Sequence, residues 1–160
     1  MTLYIRTAVG EEQCLFYVFD HKEELLWKVH LTDGTPGKMR ILHPDGQTLL
    51  TVQPALVSFC PKFHLSIAGL ERVRVAYKQG LSHNPTLAGT GWVLSGEVCT
   101  GAYSVHDRAG NPVFNHQKKW GPGGEYAELE VPLSEHFLLS AGIVVTIDQT
   151  MTATPQPQPV

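Results

Sequence analysis

One pattern governs what this chain can become: a short apolar run, a turn of Asp, Gly, Pro or Asn, and a second apolar run, written four times. The segments are "FYVFDHKEELLWKV" (Phe16 to Val29), "MRILHPDGQTLLTV" (Met39 to Val52), "FHLSIAGLERVRVAYK" (Phe63 to Lys78) and "YSVHDRAGNPVFNHQKKW" (Tyr103 to Trp120). Runs of β-branched, aromatic or large aliphatic residues flanking such a turn are the mark of a β-hairpin. At Asp45-Gly46 and around Ala109-Gly110-Asn111-Pro112 the turn chemistry is explicit, because Gly takes a positive φ without steric cost. Four hairpins are expected.

Within the runs, side chains alternate. Phe63, Leu65 and Ile67 share one face, with His64, Ser66 and Ala68 on the other; Val73, Val75 and Tyr77 then alternate with Arg72, Arg74, Ala76 and Lys78. Trp92, Leu94, Gly96 and Val98, and later Ala127, Leu129 and Val131, repeat the device. A period of two describes a sheet buried on one face and wet on the other. Many such strands leave exposed edges unless the sheet closes, so a barrel is expected.

The stretch "SEHFLLSAGIVVTIDQTM" departs from this pattern. Ser134 suits a helix cap and Glu135 a helix N-terminus, and the residues that follow are apolar on every side. Gly142, Ile143, Val144, Val145 and Ile147 would sit equally well in a strand, and periodicity does not separate the two. A helix of this kind has to be surrounded. Its eleven apolar-run residues from Phe137 to Ile147 fall well short of the roughly 20 that cross a bilayer, so no transmembrane segment is expected.

Composition narrows the function classes. With 160 residues, 42% apolar and 17% charged, the chain reads as one globular domain. The formal charge of −3 argues against nucleic acid as a partner, because phosphate neutralisation needs a surplus of Lys and Arg. Cys14, Cys60 and Cys99 are odd in number and widely spaced, as expected of reduced thiols in a cytoplasmic protein, and "MTLYIRTAVGEEQ" lacks the plan of a signal peptide. The domain is expected over residues 1–151, with the Pro-rich 152–160 a disordered tail.

Taken in order, "FYVFDHKEELLWKVHL", "MRILHPDGQTLLTV", "WVLSGEVCTGAYSVHDRAGNPVFNHQKKW", "YAELEV" and the closing "VVTID" resemble the LURP-one-related proteins. The likeness runs from Leu3 to Thr150 and is carried most specifically by Trp92, Gly96, Tyr103, Asp107, Gly110 and Lys118. It implies the tubby C-terminal and scramblase-like fold: a closed antiparallel β-barrel of about twelve strands threaded by a central apolar C-terminal helix. It also implies phospholipid as a class of partner, since tubby domains bind phosphoinositide headgroups through surface Lys and Arg.

Candidate site residues follow from charge placement. Arg72, Arg74 and Lys78 project from one strand face and are expected to converge on an anionic headgroup; Lys118 and Lys119, beside the Pro-Gly-Gly loop at 122–124, form a second cationic candidate. The wet face of any strand also has to be polar, which accounts for charged residues there without a ligand. The eight histidines show no HxH, HExxH or Cys/His spacing, and the expected hairpin would be the means of bringing two of them, His106 and His116, together. No metal and no cofactor are expected. Asp20, Asp107 and Asp148 are far apart and no DxDxDG loop supports calcium. Ser95 lies outside a GxSxG elbow, "GPGGE" lacks the Lys-Ser/Thr of a phosphate loop, and Cys99 reads as a small buried residue rather than a nucleophile. The expectation is therefore a non-catalytic barrel, peripheral to a membrane, with a protein-interaction or stress-related scaffold and an enzyme of unknown type as alternatives.

Overall fold

The computed structural model describes residues 1–32, 35–55, 60–78 and 84–153. Twelve strands form one antiparallel sheet: β1 (Thr2–Thr7), β2 (Cys14–Phe19), β3 (Leu25–Leu31), β4 (Met39–Leu42), β5 (Thr48–Pro54), β6 (Lys62–Ile67), β7 (Leu70–Ala76), β8 (Thr86–Ala88), β9 (Val93–Glu97), β10 (Ala102–His106), β11 (Pro112–Gly121) and β12 (Gly124–Glu130). In space they run β8-β7-β6-β5-β4-β3-β2-β1-β12-β11-β10-β9. Each of the four predicted hairpins forms: β2–β3, β4–β5, β6–β7 and β10–β11. Their turns use positive φ where the sequence offers glycine, +100° at Gly46 and +85° at Gly110.

The sheet curls so that its two ends, β8 and β9, come together in a nearly closed barrel. Among the described residues no β-ladder joins these two strands, and a side chain just before β8 bridges the gap. The Asn84 amide donates from Nδ2 to Gly96 O at 2.5 Å and accepts from Val98 N at 3.0 Å, so it serves both backbone groups as a neighbouring strand would.

Inside lies α1 (Phe137–Ala153), preceded by a 3-10 turn over Ser134–His136. All nine residues from Leu139 to Ile147 are buried, so the stretch that was ambiguous by periodicity is a helix enclosed on every side. At about 1.5–3 kcal/mol for each large apolar side chain, Leu139, Ile143, Val144, Val145 and Ile147 supply much of the barrel's stabilisation. Thr146 and Thr150 keep their buried hydroxyls satisfied by donating to Gly142 O and Thr146 O, both at 2.7 Å. At Gly142 the helix lies close against the wall: a Cβ there would lie 2.8 Å from Leu50 Cδ1 and 3.2 Å from Leu65 Cδ2.

Three local expectations are corrected. Ser134 caps nothing; the 3-10 turn starts from an extended Leu133 without a side-chain cap. Cys99 is exposed, at the turn that separates β9 from β10. Ala76 is buried although alternation put it on the wet face. The helix also continues through Ala153, two residues into the segment expected as tail, whereas residues 154–160 lie outside those described.

Candidate functional site

The outer face of strands β4 to β8 is basic. Arg40, Lys62, Arg72 and Arg74 lie on these strands, and Glu71 is the one acidic residue within them. Elsewhere in the sheet, β9 and β12 carry Glu97, Glu125, Glu128 and Glu130, and β11, beside β12, carries Lys118 and Lys119. The net charge of −3 therefore conceals a local excess of positive charge on β4 to β8.

A β-bulge shapes the basic side. Leu65 pairs with Val73 but Ser66 pairs with Glu71, which leaves Arg72 as the extra residue. Glu71 is thereby brought to the outer face beside Arg74 and His64. Arg74 Nη2 donates to Glu71 Oε2 at 3.3 Å, and the His64 ring holds the other carboxylate oxygen in a short hydrogen bond. These contacts, His64 foremost, hold the Glu71 carboxyl below its usual range. Of the three cations expected to converge, Arg74 is thus engaged. Among the described residues no ion pair engages Arg72 or Lys78, and both are exposed. Lys62 is the diagonal neighbour of Arg74 in the ladder, since Lys62 pairs with Ala76 and His64 with Arg74. At the hairpin tip, where Ala68 and Gly69 both take positive φ, Leu70 is 70% exposed.

Lys118 and Lys119 do not act together. Neighbours on β11, they point to opposite faces: Lys119 binds Glu128 at 2.6 Å outside, whereas Lys118 binds Glu125 at 2.7 Å at one end of the lumen. Lys118 and Glu125 there line a cavity of about 280 Å³ with Cys99, Tyr126 and Asp148. Burial pushes the Asp148 carboxyl up to about 7, with Lys118 acting against that rise and Glu125 adding to it. Cys99 Sγ lies 4.0 Å from Glu97 Oε2, and no histidine lines the cavity. The groups at hand can hold a proton and accommodate a small polar molecule.

His106 and His116 are not brought together: His106 pairs with Pro112, while His116 pairs with Tyr103. His116 points inward, stacks on Tyr103 at 4.3 Å and donates from Nδ1 to Gly101 O at 2.9 Å. Burial lowers it to about 4, so it is a neutral imidazole. His83 lies outside the described residues. Asp20 and Asp107 each accept hydrogen bonds from their own turns, Asp20 from Lys22 and Glu24, Asp107 from Ala109 and Asn111. They are turn formers. The structure does gather one set of donors that spacing along the chain gave no hint of: Glu11, Cys14 and His30, whose ligand atoms lie within 4.8 Å of one another. Only the β2–β3 register, which sets Cys14 opposite His30, reveals it.

Comparison with known proteins agrees on the fold. No family model matches the chain. It is 23% identical over 151 residues to a protein of Bacillus subtilis strain 168 named uncharacterized protein YxjI, with 93% of each chain covered. The crystal structure of the Arabidopsis thaliana protein AT5G01750 is similar with a TM-score of 0.65 at 13% identity, covering 93% of this chain and 91% of that one. Almost the whole barrel therefore has a counterpart of known structure.

Proposed function

We propose that this chain is a LURP-one-related, tubby-like barrel that works without catalysis, as a peripheral module for anionic phospholipid headgroups at the cytoplasmic face of a membrane. The carrying observation is the basic outer face of β4 to β8, where Arg72, and Lys78 just past the end of β7, have no ion-pair partner among the described residues. Arg72 offers a planar fork and Lys78 and Lys62 compact charges, which together suit phosphate. The exposed Leu70 at the adjoining hairpin tip supplies an apolar contact at the headgroup boundary. No helix among the described residues is long and apolar enough to cross a membrane, which agrees with a peripheral mode.

Sedimentation with vesicles of neutral lipid, with and without phosphatidylserine or a phosphoinositide, tests this reading. Retention is expected on the anionic vesicles at low salt, falling as salt rises. Equal retention on neutral and anionic vesicles, or unchanged retention in the Arg72→Ala, Lys78→Ala double variant, would overturn it.

A further inference from the structure

We propose that Glu11, Cys14 and His30 form a binding site for a thiophilic divalent metal, zinc above all. The three residues come from the β1–β2 loop, β2 and β3, and two features of the backbone bring them together. Gln13 takes a left-handed φ of +66°, turning the loop so that Glu11 comes back over the strand. An irregularity in the β2–β3 ladder between Cys14 and Phe16 then sets Cys14 opposite His30. One donor atom of each residue lies within 4.8 Å of the other two. Zinc bonds of about 2.0–2.3 Å would draw these donors together by only about an ångström.

The chemistry of the donors agrees with their geometry. His30 Nε2 is buried and has no hydrogen-bond partner among the described residues, which leaves an imidazole lone pair or N–H unused. The Cys14 thiol is buried; it donates weakly to Phe16 O at 3.6 Å and also meets the Val29 backbone. Glu11 is held by the Tyr17 hydroxyl and by Lys28 Nζ at 3.0 Å, contacts that orient a carboxylate as the outer partners of metal ligands do. Lys28, and Arg40 opposite His30 in the β3–β4 ladder, add positive charge nearby. A thiolate and a carboxylate together offset the dication despite them, and the thiolate selects zinc or cobalt over magnesium or calcium. Binding transfers the Cys14 proton to solvent, and a fourth coordination position remains for water.

The test is titration of the chelator-stripped protein with cobalt(II), followed by zinc(II). One equivalent of cobalt is expected to produce the thiolate-to-cobalt charge-transfer band in the near ultraviolet together with tetrahedral d–d bands, and zinc is expected to abolish both. Cys14→Ser should remove the charge-transfer band. His30→Gln should weaken cobalt binding by more than the ~10–100-fold that losing an outer partner such as Tyr17 costs. Circular dichroism identifies the folded variants, and Tyr17→Phe provides a milder perturbation should the ligand variants fail to fold. Absence of the charge-transfer band in the parent protein, or its persistence in folded Cys14→Ser, would overturn the proposal.

Discussion

Glu71 and Arg74 sit three residues apart on one strand yet meet on the outer face, carboxylate Oε2 to guanidinium Nη2 at 3.3 Å, because the bulge at Arg72 changes the alternation between them. Regular alternation would send Glu71 inward. The bulge instead places one acidic residue in the middle of the basic face, where it occupies a cation that a phosphate would otherwise use.

Vesicle binding should therefore respond unequally to Arg72 and Arg74. Arg72→Ala is expected to reduce retention more than Arg74→Ala, and Glu71→Gln to increase it by releasing Arg74. The effect on stability should stay within about 1 kcal/mol, as for an exposed ion pair. Sedimentation of the three variants at a single low salt concentration decides the order.

Acid–base behaviour of the interior gives a second expectation. Asp148 is raised from 3.8 to about 7 and His116 lowered from 6.5 to about 4, both chiefly by burial. Between pH ~4 and ~6.5 the folded chain holds a proton on Asp148 and none on His116, while the unfolded chain holds one on His116 and none on Asp148. The proton counts match, so the two contributions to pH dependence cancel. Relative to the parent, Asp148→Asn should lose stability as pH falls from 6.5 towards 4, with the His116 term uncovered. His116→Gln should lose stability as pH rises from 4 towards 7, at up to about 1.4 kcal/mol per pH unit. Urea unfolding across that range measures both slopes, and parallel curves for the two variants would contradict this account.

At Gly142 the helix has no room for a side chain. Gly142→Leu should cost about 1–3 kcal/mol or more by driving Leu50 and Leu65 from their places, even though leucine is much the better helix former. Thermal unfolding provides the comparison, and a variant as stable as the parent would show that the wall yields there.

The seam between β8 and β9 depends on Asn84. Losing its two hydrogen bonds in Asn84→Ala should cost about 1–2 kcal/mol. Hydrogen exchange should quicken at the Val98 amide while the amides of β5 and β6 stay protected. Uniform acceleration across the sheet would mean that the seam opens only with the whole barrel.

What could be read from the residues depended on how local each signal was. The hairpin turns at Asp45-Gly46 and Gly110 carry their own backbone chemistry, so four hairpins were legible without knowledge of their neighbours. Helix and strand could not be separated at Ile143 to Val145, because a segment buried on all sides has no polar stripe to give a period. Resemblance resolved what periodicity did not. The bulges beside Cys14 and Arg72 were invisible for a different reason: a bulge is a relation between two strands, and each strand alone reads as regular alternation. The meeting of Glu11, Cys14 and His30, the separation of Lys118 from Lys119 and the engagement of Arg74 all depend on register and on which face each residue occupies.

The enclosed helix follows all twelve strands in the chain. A ribosome therefore delivers the wall of the barrel before its filling, and β1 must wait for β12, its partner some 120 residues later, before either can pair across that junction. Until α1 emerges, the concave side of every completed hairpin presents Leu3, Val29, Leu65 and their neighbours to water or to other nascent chains. Synthesis halted short of Phe137 leaves an oily trough, and a cell making this protein has to shield or destroy such fragments.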